Sequence, residues 1–171
     1  MNKRGIILKK VNMKLRLTAL ALCVATTVWA QAQKPAIVKL ADLQKLIQTP
    51  SEQVKVINFW ATWCAPCIKE LPLIEKLQQE RSDVKVTLVS MDIDLDPNPD
   101  KVFRFVERKK IKSDVLILNE KNPNDWIDKI EKEWSGALPA TLIINGKNGK
   151  KKFVEKELHE GDLEKLIAEV Q

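Results

Sequence analysis

The sequence predicts one α/β domain in which helices cover both faces of a mixed β-sheet. Three observations carry that expectation. Apolar runs of strand length alternate with longer segments whose apolar residues recur at helical spacing. The resulting order is strand–helix–strand–helix–strand–helix, then a hairpin, then a last helix, which is the signature of a layered mixed sheet. A chain of 171 residues with 44% apolar content can bury one core, and it contains no repeat or low-complexity tract.

Pro35–Lys39 reads as a connector or first strand. Leu40, Leu43, Leu46 and Ile47 then mark a short amphipathic helix over 40–48, broken by Thr49-Pro50-Ser51. Val54–Ala61 is an apolar run suited to the middle of a sheet. Ile68, Leu71, Ile74 and Leu77 place a long helix over 65–81, and Pro72 within it should kink the axis by removing a backbone donor. Val84–Ile93 alternates before becoming fully apolar and reads as a strand, followed by a turn over 94–99. A helix over 100–111 presents Val102, Phe103, Val106 and Ile111, and its basic end Arg108-Lys109-Lys110 suits a helix C-terminus.

Val115–Leu118 is a short strand. Asn122–Asp125 is expected to open an inserted helix that puts Trp126, Ile127, Ile130 and Trp134 on one packing face and ends at Ser135-Gly136. Thr141–Asn145 is the late strand, 146–149 a hairpin turn and 150–157 its partner. A final helix starting at Gly161-Asp162 turns Leu163, Leu166, Ile167 and Val170 inward.

The net charge of +6 suggests a polyanion partner, but its location removes that reading. Six of the 29 basic residues lie in 1–32, where there is no Asp or Glu, leaving 23 basic against 23 acidic residues beyond. Nucleic acid is therefore not an expected partner. Residues 1–32 read instead as an export signal: a basic stretch through Arg16, an uncharged apolar stretch from Leu17 to Ala30, and small residues that allow cleavage after Ala30 or after Ala32. The start is Met1 or Met13. The mature domain is then 33–171, in the periplasm or cell envelope, free or tethered by an uncleaved signal or a lipidated Cys23.

With Cys23 gone, the remaining cysteines are Cys64 and Cys67, directly after the apolar strand. A thiol at a helix N-terminus meets unpaired backbone N–H groups, which favour thiolate. The second thiol, three positions on, shares its helical face, so the sulfurs can join with little backbone movement. A bridge this short removes little loop entropy, so the pair is expected to serve chemistry and not stapling. Thiol–disulfide exchange needs one acidic attacking sulfur and a neighbour to resolve the mixed disulfide, which makes Cys64 the nucleophile and Cys67 the resolving thiol.

The run from Asn58 to Pro72, centred on Trp63-Cys64-Ala65-Pro66-Cys67, resembles the thioredoxin superfamily and, more closely, its exported TlpA/ResA-like branch. Three separated features agree: the cysteine motif at a helix start, Pro72 five residues beyond Cys67, and Leu138-Pro139 before a strand. The resemblance covers most of 36–171 and implies a thioredoxin-like fold. It implies a cis Pro139 that presents the backbone of Leu138 beside Cys64 for an extended client segment; in isolation the same dipeptide reads as an ordinary turn proline. It also implies that Glu70 takes the proton of Cys67, standing in for an Asp that cytoplasmic thioredoxins carry at the position of Asn58. The plain alternative for Glu70 is a solvated helix-surface carboxylate. Trp63 is expected to be exposed, as a client contact or a structural cap, and Pro66 belongs to the same contact surface.

Within the superfamily the residues between the cysteines set the direction of electron flow. Ala65-Pro66 resembles the pairs of reductants, and no His stands beside Cys67, the only one being His159. The expectation is a monomeric reductase of envelope-protein disulfides, apocytochrome c among them, that draws electrons from a membrane thiol donor. No cofactor is expected. Zinc would need two further ligands, and haem attachment would need His where Ile68 stands. The rival reading is a thioredoxin-fold binding module for unfolded or apo-proteins, with the cysteines incidental.

Overall fold

The computed structural model describes residues 34–171. The expected export signal, its cleavage positions and Cys23 lie outside the described residues.

Six strands form one sheet in the order β1-β4-β3-β2-β5-β6. They are β1 (Ala36–Val38), β2 (Val54–Trp60), β3 (Val84–Ser90), β4 (Asp114–Leu118), β5 (Ala140–Asn145) and β6 (Lys151–Val154). The pairs β1–β4, β4–β3 and β3–β2 are parallel, whereas β2–β5 and β5–β6 are antiparallel. Among the described residues four α-helices accompany them: α1 (Leu40–Gln48), α2 (Ala65–Glu80), α3 (Asp100–Lys109) and α4 (Asp162–Val170).

Every residue of β2 is buried, as a central strand covered on both faces requires. Its side chains alternate between two cores. Val54, Val56 and Trp60 face α2, α3 and α4, where they meet Ile74, Val102, Phe105 and Ile167. Ile57 and Phe59 face the other way, towards Leu43 of α1, Trp126 and Trp134. Asn58 takes the α2 side by the same alternation, and that places it under the helix that carries the cysteines.

Two expectations need correcting. The inserted helix over 122–135 does not form; in its place stand two single 3-10 turns, Pro123–Asp125 and Ile127–Lys129. They meet at Trp126, whose φ of −145° is outside the helical region, after Asn122 in a left-handed conformation. The four residues assigned to its packing face are nevertheless buried together, because a tight 3-10 path also gathers residues three to four apart. In α3 the inward residue is Phe105, with Phe103 only half-buried. Helix α2 runs on through Pro72 without interruption.

Among the described residues, no helix is long and apolar enough to cross a membrane.

Candidate functional site

The parallel strands β2 and β3 end at the same edge of the sheet, where open α/β sheets place their sites. From Trp60 the chain turns through Ala61–Cys64, closed by the Cys64 N–H to the Ala61 carbonyl at 3.1 Å. Asp92, just beyond β3, anchors this turn. Its carboxylate accepts the Thr62 backbone N–H at 3.0 Å, the Thr62 hydroxyl, and the Ser90 hydroxyl at 2.8 Å. Asp92 is buried, so these bonds meet no competition from water.

Cys64 is the N-cap of α2, and its sulfur accepts the backbone N–H of Cys67 at 3.3 Å. Pro66 lies in the first turn, where a missing N–H costs nothing. No acidic side chain occupies that turn to oppose the positive end of the helix. Cys64 and Cys67 are joined in a disulfide with a Cα–Cα distance of 5.3 Å. Cys64 retains 5% exposure and Cys67 none, so Cys64 is the more accessible of the two. Trp63 beside it is 55% exposed.

Across the sheet edge, the Leu138–Pro139 peptide is cis. Ala140, which opens β5, pairs with Phe59 near the end of β2, so the antiparallel register brings Pro139 to the end of the sheet that carries the cysteines. Leu138 is partly buried against the core cluster that contains both cysteines. The loop leading to it is fastened by Glu155, whose carboxylate accepts from the Ser135 hydroxyl at 2.6 Å and the Ala137 N–H at 2.7 Å. Trp134 Nε1 also donates to the Ala137 carbonyl at 3.0 Å.

Glu70 is 1% exposed, which excludes the solvated-surface reading. Its Oε1 accepts from Asn58 Nδ2 at 2.7 Å and its Oε2 from the Leu158 N–H at 2.6 Å. Burial pushes its pKa up to about 7; the two hydrogen bonds hold it down, and the Glu157 charge adds to the rise. A carboxyl poised near neutrality can both accept and return a proton.

All seven residues singled out from sequence lie at this edge or beneath it. Sequence reasoning missed Asp92, Glu155, Thr141 and the Leu158 amide, which reach the site by tertiary contact and leave no spacing signal. Among the described residues there is no group of three or more His, Cys, Asp or Glu that could hold a metal ion.

Comparison with known proteins agrees with this geometry. A thioredoxin family model matches residues 34–108. The thioredoxin of Listeria monocytogenes is 42% identical over 50 residues, 29% of this chain and 48% of that protein. The chain thus spans about half the length of the first curated relatives it matches. A thioredoxin-related protein from Neisseria meningitidis serogroup B superposes with a TM-score of 0.61 at 23% identity, covering 72% of this chain and 88% of that one. A secreted Mycobacterium tuberculosis disulfide oxidoreductase homologous to E. coli DsbE gives 0.50 at 18% identity, over 70% and 81%. By topology and structural likeness the chain has a thioredoxin-like fold, and its residues 34–108, which carry the cysteine motif, match the thioredoxin family model.

Proposed function

We propose that this chain is an exported thiol–disulfide oxidoreductase that reduces disulfides in envelope proteins. The observation that carries the reading is the Cys64–Cys67 disulfide at the N-terminus of α2, with the Cys67 N–H directed at the Cys64 sulfur. In the reduced protein the same N–H meets the Cys64 thiolate, which lowers its proton affinity.

The Cys64 thiolate attacks one sulfur of a client disulfide, forming a mixed disulfide and releasing the other client sulfur as thiolate. Glu70 then takes the proton of Cys67, and Cys67 attacks the Cys64 sulfur. The client's second sulfur leaves with the electron pair, and the intramolecular disulfide remains. Two electrons pass from the dithiol to the client. The proton on Glu70 is available to the departing thiolate. A dithiol donor, which we place in the membrane, restores the reduced form. The backbone of Leu138 and the faces of Trp63 and Pro66 supply the contact surface for an extended client segment, apocytochrome c being one candidate.

The direction of flow is supported by what surrounds the sulfur. The Cys64 sulfur stands at a helix end, while two basic residues are engaged elsewhere: His159 lies with Glu157 at 3.9 Å, and Lys69 pairs with that same Glu157 at 2.6 Å. A thiolate with few stabilising partners corresponds to a reducing couple. Export is supported by the basic and apolar N-terminal sequence and by the secreted mycobacterial neighbour.

The test is a Cys67→Ser variant expressed in cells, which should accumulate clients bound to Cys64, together with the redox midpoint of the wild type. Recovery of dithiol clients and a reducing midpoint are expected. A midpoint as oxidising as a disulfide donor's reverses the direction. Absence of both trapped clients and insulin reduction under a strong thiol donor leaves a binding module.

A further inference from the structure

The amide of Asn58 is fully buried between two groups, and one of its atoms is unmatched. Nδ2 donates to Glu70 Oε1 at 2.7 Å and to Thr141 Oγ1 at 3.0 Å. Oδ1, equally buried, has no hydrogen-bond partner. Asn58 and Thr141 are directly opposed on β2 and β5, so the contact is fixed by the sheet register and not by a flexible loop. An orphaned buried acceptor is uncommon in folded proteins and asks for an explanation.

We infer that Asn58 is the positioning residue for the Glu70 proton: by turning about its Cβ–Cγ bond, its amide serves the carboxylate as a donor and the carboxylic acid as an acceptor. This rests on the reading of Glu70 as the proton acceptor for Cys67.

Ionised Glu70 offers only acceptors, and the observed orientation gives it an N–H from Asn58 and one from Leu158. A proton arriving from Cys67 must settle on Oε1, because Oε2 is held by a backbone N–H that cannot reverse. The new O–H would then confront Nδ2, donor against donor. Half a turn of the amide brings Oδ1 to that place. The Thr141 hydroxyl can donate as well as accept, so its hydrogen turns to the same oxygen. In one state Oδ1 is left over, in the other Nδ2, so both protonation states are matched in number of bonds. An Asp at 58 would oppose the ionised state, and a Leu would serve neither.

The charge that acts on Glu70 is that of Glu157. Glu157 faces it from the segment after β6 and carries Lys69 of α2 and, further off, His159. From the sheet the facing groups, Asn58 and Thr141, are uncharged. The sheet side therefore answers the proton by rotation and not by a compensating charge.

Isotope-labelled oxidised full chain tests this by NMR. A coupling through the hydrogen bond, from Asn58 Nδ2 to the Glu70 carboxyl carbon, is expected well above the Glu70 titration midpoint and should be lost well below it. The Asn58 amide signals, assigned by their absence in Asn58→Leu, should titrate with the Glu70 carboxyl and become independent of pH in Glu70→Gln. In kinetics, the pH midpoint for resolving a mixed disulfide on Cys64 should rise by about one unit in Asn58→Leu, because the carboxylate has lost a donor. A coupling that persists on both sides of the midpoint overturns the rotation, as does an unmoved midpoint in Asn58→Leu. If instead Glu70→Gln leaves the wild-type pH profile intact, the assignment of Glu70 to proton transfer fails, and the inference fails with it.

Discussion

Leu158 donates its backbone N–H to Glu70 Oε2 at 2.6 Å, across 88 positions of sequence. The segment after β6 thereby pins the carboxyl beneath the helix that carries the disulfide. Burial outweighs this bond and raises Glu70 to about 7 from an ordinary value of 4.5. Below 4.5 the group is protonated whether the chain is folded or not, and stability is unaffected. Between 4.5 and 7 the folded chain keeps a proton that the unfolded chain releases, so stability falls as pH rises through that window. The loss reaches up to about 3 kcal/mol. Urea midpoints of the oxidised protein should show Glu70→Gln gaining on the wild type from acid to neutral pH. A difference that is constant with pH would mean that the folded carboxyl titrates near its ordinary value.

Asp92 holds the turn before Cys64 from another strand end. Asp92→Ala leaves the Thr62 N–H and hydroxyl and the Ser90 hydroxyl without their shared acceptor. Unfolding in urea should show a loss of about 1–3 kcal/mol. Reaction of reduced Cys64 with a small disulfide should slow by about tenfold, since the turn no longer fixes the sulfur at the helix end. Asp92→Asn, which keeps one acceptor, should recover part of both losses. Normal exchange in Asp92→Ala would show that the helix alone positions Cys64.

The opposite end of β2 provides a contrast. Lys55 directs its ammonium to the Leu46 carbonyl at 2.7 Å, the Ile47 carbonyl at 3.1 Å and the Thr49 carbonyl, satisfying the C-terminal end of α1. Lys55→Met should lower stability by about 1–3 kcal/mol. The redox midpoint should stay that of the wild type, because Lys55 lies near the start of the strand whose far end leads to Cys64. A shifted midpoint would reveal coupling along the strand.

The cysteines, Pro72 and the late proline were legible because each is a local signal: a residue type at a fixed offset within a strand–turn–helix unit. The faces of α1, α2 and α4 were legible from the period of their apolar residues. The same reasoning misassigned 122–135, since Trp126, Ile127, Ile130 and Trp134 satisfy a helical period while Asn122 and Pro123 begin a path of separate 3-10 turns. There the burial of Trp134 against Phe59, Phe153 and Trp126 goes with a backbone path that overrides propensity. Periodicity also says nothing about polar partners. Asp92 meets Thr62 across 30 positions and Asn58 meets Thr141 across 83, and only the sheet register brings them together.

A change at Glu155 can separate the proposed client contact from thiol chemistry. Its carboxylate gathers the Ser135 N–H and hydroxyl and the Ala137 N–H, which sets the path of the chain into Leu138 and Pro139. It has no hydrogen bond to Cys64 or Cys67, and its partners are all on the loop that is proposed to present main chain to a client. Glu155→Ala removes charge-assisted bonds of about 1.5–3 kcal/mol each, though Trp134 still donates to the Ala137 carbonyl and limits the slack. The KM for a disulfide-containing protein should therefore rise by about tenfold, which corresponds to about 1.4 kcal/mol of lost binding. The kcat should fall by much less, and the redox midpoint should not move. Steady-state reduction of a protein substrate, set beside the midpoint of the same variant, gives the answer. Equal loss in kcat and unchanged KM would place Glu155 in the chemical step instead, and the loop before Pro139 would no longer be the client-binding element.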